Sequence, residues 1–451
     1  MVSRKEASCF GVGPQPLFCN VSRGVIGLVS DDSSSDLETV ASKADNGEGL
    51  SSAEPRRGIG RDVLSAIAAS TTTSFAVFLT GALAVQMRAS LHFGPDSLGM
   101  AISIYYLGAA AGSVPFGRLA EAVGGARVMK PTALLAGALL ALIALLAHSW
   151  VSLSVVLFFS GIVSSAMQPA TNLFLARRIP RDRQGFAFGV KQSAIPFASL
   201  FGGLAVPAIA LTIGWRWAFA FAALCSGVTA LLVPRSHTSL ASYRAKHKDP
   251  TSPGRIAPLV VLGVGFGLGI FAAAAMTAFL VTSGVAGGLS KPEAGYLAGA
   301  AGAVAVMVRV YSGVLADRRG GGHFKVIALM LVMGCVGYIG LALGSAFRVY
   351  LFFWFGAIIA YGAGWGWNGL FNFAVIRTHT KAPARATSVT QVGGRLASVF
   401  GPLVFGVVVA HGSYAIAWLV NGLVAVLGAG VILYGRHMLM RPSREAGQAT
   451  K

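Results

Sequence analysis

From residue 61 onward the chain is built of long apolar runs separated by short polar breaks. Each run holds at least eighteen residues, enough for a helix to cross a hydrocarbon core of about 30 Å. Twelve spans follow from the pattern, near residues 63–87, 97–117, 127–147, 151–176, 186–212 and 215–234, then 256–284, 293–315, 325–345, 349–375, 387–410 and 414–435. Between the sixth and seventh lies a polar, basic stretch, "PRSHTSLASYRAKHKDPTSPGR". The pattern predicts an all-α membrane protein of two six-helix bundles, residues 61–234 and 256–437, joined by a linker at 235–255 and ending in a tail at 438–451. Residues 1–60 are polar, acidic and rich in Gly and Ser, so they are expected to be a disordered tail, and they lack the apolar core of a signal peptide.

Composition supports the membrane assignment. Of 451 residues 55% are hydrophobic and only 12% charged, and mean hydropathy is +0.68. The net charge of +20 does not indicate a nucleic-acid surface, because the basic residues sit in short loops without interleaved aromatics. Counted from residue 56 onward, twenty-five Lys and Arg fall on the side that holds the linker, and four (Arg88, Arg216, Lys291, Arg348) on the other. The positive-inside rule then places both termini in the cytoplasm, and a bacterial inner (plasma) membrane is expected. The cysteines, Cys9, Cys19, Cys225 and Cys335, show neither zinc-site nor disulfide spacing. No Walker sequence, metal cluster or nucleophile constellation is present, so the chain reads as neither an enzyme nor an ATP-driven pump, with no cofactor.

Three basic residues belong to neither side: Lys191, Arg309 and Arg395. No Asp or Glu falls in the interior of a predicted span, so none of the three has an acidic partner at its depth. Buried cations are costly unless paired or wetted, and intramembrane charges are functional candidates by default. Lys191 could instead snorkel to the headgroups, Arg309 could brace Asp317, and Arg395 could bond to carbonyls. Amides add a second signal. Gln168 and Asn172 share one face of span four, Asn368 and Asn372 occupy the matching places in span ten, and Gln192 matches Gln391 in spans five and eleven. These amides serve a solute or pack helices across an interface. Trp365, Trp367 and Phe371 form either an aromatic wall or core packing. The hydroxyls from Ser70 to Ser74 are expected to bond their own helix carbonyls.

The halves repeat each other at an offset near 200. "FGRLAEAVGGARV" (116–128) aligns with "SGVLADRRGGGHF" (312–324), "NLFLARRIP" (172–180) with "NFAVIRTHT" (372–380), and "ASLFGG" (198–203) with "ASVFGP" (397–402). Parallel six-span repeats are a known transporter plan, with the solute site between them. The first pair resembles the signature loop of the major facilitator superfamily, Gly-x-Leu-Ala-Asp-Arg-x-Gly-Arg-Arg. The second copy keeps Gly313, Leu315, Ala316, Asp317, Arg318 and Gly320; the first keeps Gly117, Leu119, Ala120 and Gly124 but has Glu121 for Asp. The resemblance covers about residues 61–437. It implies that these loops latch the gate between conformations, and that spans one, four, seven and ten line a cavity with two, five, eight and eleven. "GVKQSAIP" and "GWRWAF" further resemble the group that includes cyanate and nitroimidazole permeases.

The function that follows is a secondary transporter working by alternating access, expected to act as a monomer on a small organic anion. Lys191, Arg309 and Arg395 would line one cavity, with Arg395 nearest the solute and Gln168, Asn172, Gln192, Asn368, Asn372 and Gln391 around it. Proton coupling is open. A proton-coupled drug or multidrug efflux transporter is the alternative, although the Gly-Pro pair which that group carries in span five stands here in span eleven, at Gly401–Pro402. A non-transporting membrane receptor is the other class.

Overall fold

The computed structural model describes residues 59–179, 184–234, 256–318, 323–379 and 383–440, which form helices joined by short turns, with no strand among the described residues. Of the expected 1–60 tail only the last two residues are described; the 235–255 linker and residues 441–451 lie outside. Nine spans among the described residues are single helices: Pro95–Val123, Gly125–Leu146, Trp150–Arg178 and Trp215–Leu232, then Ile256–Ala286, Lys291–Arg318, His323–Phe347, Pro383–His411 and Tyr414–Met440.

The other three spans are interrupted. Span one runs Ile59–Ala82 and resumes as Ala84–Leu91. Span five is Gln184–Gln192, then Ala194–Ala205, then a π turn at Val206–Ala210. Span ten, expected as one run at 349–375, breaks at Trp367 into Tyr350–Gly366 and Asn368–Thr378. For that reason eleven helices among the described residues, not twelve, are each long and apolar enough to cross a bilayer.

Local chemistry explains where helices begin. At the end of the bundle away from the linker, Ser149 and Ser152 form a reciprocal cap on span four. The Ser290 amide donates to Glu293 Oε2 at 2.8 Å, and the Glu293 amide donates back to Ser290 Oγ at 3.3 Å, which caps span eight. Between spans two and three Gly124 has φ +96°, a conformation that L side chains rarely adopt. The signature segments are mostly helical: span two continues through Glu121 to Val123, and span eight through Asp317 to Arg318.

Packing relies on small residues. A Cβ on Gly108 would strike the carbonyl of Phe158, and one on Gly161 the carbonyl of Tyr105, so spans two and four meet backbone to backbone. Gly334 against Gly364 and Gly340 against Gly356 do the same for spans nine and ten. Glycines also join the halves. Span two meets span eleven at Gly99 with Pro402 and at Pro95 with Gly406. Span five meets span eight at Leu200 with Gly302, Gly203 with Gly299 and Val206 with Gly295, and again near the linker end, where a Cβ on Gly189 would lie 3.7 Å from the Cα of Gly313.

Filling one of these approaches overpacks a contact that has no room. Gly161→Leu is expected to lower stability by about 1–3 kcal/mol or more, since the opposing atoms belong to the backbone of Tyr105 and Ala109 and cannot swing aside. Thermal unfolding of the detergent-solubilised protein measures it.

Candidate solute-binding site

Lys191 is the last charged group of the first segment of span five, and only 1% of it is exposed. It does not snorkel. Its ammonium donates to Gln168 Oε1 and, at 2.9 Å, to Asn172 Oδ1. An ammonium can only donate, so both amides must turn their oxygens toward it. The i, i+4 spacing on span four thus makes a two-oxygen cradle. Both acceptors are neutral: they satisfy two of the three ammonium donors, and no acid among the described residues matches the charge. The amine is buried, Gln168 is half-buried and Asn172 is exposed, so the amide side of the cradle reaches an open surface.

The second half holds a neutral counterpart. Gln391 Nε2 donates to Asn372 Oδ1 at 2.7 Å. Both bonds, 172 to 191 and 372 to 391, link residues nineteen apart. Gln391 therefore stands in the place of Lys191, which corrects the sequence pairing of Gln391 with Gln192. From Lys191 to the "ASLFGG" motif span five contains one residue more than span eleven contains from Gln391 to "ASVFGP". The extra residue is taken up where the helix breaks at Ser193, whose amide turns back to the Val190 carbonyl at 3.1 Å. Span eleven has no such break. Gln192 thus turns away from this register; its backbone carbonyl is used by Arg309, and its side-chain oxygen is buried without a partner among the described residues. Asn368, one turn before Asn372, is half-buried.

Arg309 is 3% exposed and also has partners. Its Nη1 donates to the Gln192 carbonyl at 2.8 Å and its Nη2 to the Trp365 carbonyl at 3.2 Å, while its guanidinium lies 4.8 Å from the centre of the Trp365 ring. The alternative brace from Arg309 to Asp317 falls on residues whose side chains, Asp317 and Arg318, lie outside the described residues. The picture of three unpaired cations is corrected accordingly. Two are bonded inside the protein, and Arg395 is the exposed one. Arg395 is four residues past Gln391 and seven before Pro402, so it shares the helix face that meets span two at Pro402. At its own level that face is open.

The remaining candidates divide. Trp365 faces the centre, where it also meets Phe78 of span one at 5.8 Å. Trp367 and Phe371 instead pack around Phe266 in the core of the second half. The hydroxyl run of span one mostly bonds its own helix, as at Thr72 to Ala69 and Ser74 to Ser70, but Thr71 reaches across to the Ala194 carbonyl at 3.2 Å. Of the gate candidates, Gly117 has open space where a Cβ would stand, Glu121 is exposed, Gly124 makes the turn, and Gly313 faces Gly189. Missed from the sequence were Pro196 and the bond between Ser199 and Tyr361, 3.3 Å across the two halves. A proline four residues after Gln192 was the available signal.

Comparison with known proteins supplies the family. The model of the Major Facilitator Superfamily matches residues 64–396. Among solved structures the chain resembles a bacterial homolog to the human lysosomal transporter Spinster in its inward-facing, occupied conformation, with TM-score 0.61 and 14% identity over 86% of this chain and 96% of that one. The inward-facing, unoccupied form of that homolog aligns with TM-score 0.60, the same identity and the same coverage. No curated protein sequence matches.

The cradle predicts a coupled pair. Gln168→Leu should destabilise the protein by about 1.5–3 kcal/mol while Lys191 is present, because a buried ammonium loses an acceptor. In a Lys191→Met background the same change should cost much less. A double-mutant cycle on unfolding midpoints reads the difference.

Proposed function

The chain belongs to the major facilitator superfamily, and on that footing we propose that it is a secondary active transporter for a small organic anion, working by alternating access. The observation that carries the reading is the unmatched charge of Lys191: a buried ammonium whose partners among the described residues are neutral amide oxygens. An anion entering beside Asn172 would meet the remaining ammonium donor and relieve a charge that no described acid neutralises. Arg395, exposed on the open face of span eleven, is the second anionic contact, and its planar fork suits a carboxylate. Gln391, Asn372 and Asn368 offer neutral hydrogen bonds from the other half. Glu121, Asp317 and Arg318, with Gly117, Gly124 and Gly313, serve the gates.

Within the superfamily we place the chain beside the group that includes cyanate and nitroimidazole permeases. Both motifs behind that placement have structural work. "GVKQSAIP" carries Lys191 and the break at Ser193, and "GWRWAF" opens span six, where Arg216 donates to the Ala147 carbonyl at 2.6 Å and the Trp215 indole to Ser90 Oγ at 3.0 Å. The linker and both termini are placed in the cytoplasm of a bacterial inner membrane, on the basic asymmetry.

The reading is tested by thermal stabilisation of the purified protein with a panel of small mono- and dicarboxylates, followed by flux of each hit into proteoliposomes without ATP. A carboxylate at 100 times its Kd should stabilise by about 2.7 kcal/mol. Lys191→Met should abolish the shift and the flux, and Arg395→Lys should weaken both. Stabilisation and flux confined to neutral or cationic solutes, unaffected by Lys191→Met, would sink the anion reading. Topology has its own check. In a background without native cysteines, a cysteine placed in the 235–255 linker should resist an impermeant thiol reagent added outside cells; strong labelling would invert the orientation.

A further inference from the structure

Pro196 stands four residues after Gln192. In a helix the amide at i+4 would close a bond to the carbonyl of residue i, and proline has no amide hydrogen. The Gln192 carbonyl is left over, and the first segment of span five ends there. Arg309, from the other half of the protein, donates Nη1 to this carbonyl at 2.8 Å. Its Nη2 donates at 3.2 Å to Trp365, in the last turn of Tyr350–Gly366, just before the break in span ten. Carbonyls at helix ends carry partial negative charge and lack helical partners. The guanidinium thus binds two interrupted helix ends, one in each half, and finds there the negative charge that no described acid supplies.

We propose that Arg309 is a positioning residue, not a solute ligand: it holds the carbonyl released by Pro196, ties span five to spans eight and ten, and so fixes the neighbouring Lys191 in its amide cradle. Burial supports this, since Arg309 is 3% exposed and both terminal nitrogens meet protein carbonyls. A second attachment lies two turns further along span five, where Ser199 Oγ and Tyr361 Oη meet at 3.3 Å. Tyr361 packs edge-on against Trp365 with ring centres 5.4 Å apart, and Trp365 lies against the guanidinium. Beside the bond, Arg309 Nε and Gln192 Oε1 are buried without partners among the described residues. Their unmet capacity makes the tie less costly to release than a fully satisfied network. Arg309 therefore joins the halves by a bond that a transport cycle can break and remake.

The test uses a cysteine pair at Gly189 and Gly313, in the full chain with Cys9, Cys19, Cys225 and Cys335 replaced by serine. The two backbones are close enough for a disulfide, and its rate of formation under mild oxidant reports contact between spans five and eight. Arg309→Lys keeps the charge but loses the two-pronged reach. Pro196→Ala returns an amide hydrogen to the Gln192 carbonyl, which then no longer needs Arg309. Each should slow disulfide formation about tenfold, the effect of losing one charge-assisted bond. The double variant should be no slower than Arg309→Lys alone, because the bond that Pro196→Ala releases is already lost there. Wild-type rates in the folded single variants would overturn the proposal, and so would additive slowing in the double variant, which a general loss of packing would produce. If Arg309→Lys fails to insert, Pro196→Ala decides the matter alone: slowing supports the tie and a wild-type rate refutes it. The rates are read without any solute, so they stand whether or not the anion reading does.

Discussion

A cation in a low-dielectric interior must be answered by something, and here no acid among the described residues answers it. The described acids lie at helix ends: Asp62 pairs with Arg178 at 2.9 Å, and Glu293 caps its own helix. The protein uses oxygen dipoles instead, amide oxygens for Lys191 and helix-end carbonyls for Arg309. Dipoles stabilise a charge without cancelling it. The breaks at Ser193 and Trp367 become intelligible on those terms, because an unbroken helix keeps its carbonyls for itself.

The same constraint separates the two halves chemically. A lysine in one and a glutamine in the other occupy equivalent places beside an asparagine nineteen residues earlier. At that pair of positions one half carries a charge and the other does not, although the sequence motifs repeat. Glycine contacts let such unlike halves meet closely, because the approaches at Gly203 with Gly299 and Gly99 with Pro402 are made by backbone and not by interlocking side chains.

Much of the architecture was legible in the sequence. Span positions, the duplication and the signature segments follow from hydropathy and from motif spacing, which a bilayer enforces strongly. Lys191, Arg309 and Arg395 were noticed too, since a lone Lys or Arg in an apolar run needs no structure to stand out, but which of them is exposed was not legible. The partners of Arg309 were not legible either. The carbonyl of Gln192 or Trp365 has no letter of its own in a sequence, and only Pro196 hinted that one would be free. The register of Gln391 was misread because one additional residue in span five is invisible until the break at Ser193 shows where it went. Span ten read as continuous because Trp365, Gly366 and Trp367 are all acceptable in an apolar run.

An unmatched charge inside a membrane is also an electrical element. Any change in the position of Lys191 relative to the transmembrane field does electrical work, up to about 2.3 kcal/mol per 100 mV for a charge moved across the whole field, and proportionally less for a part of it. A bound monoanion moving with the ammonium would bring the net displaced charge to zero. For that pair the resting voltage would then act on the empty ammonium and not on the loaded one, so the potential would act on Lys191 at the step where no solute is carried.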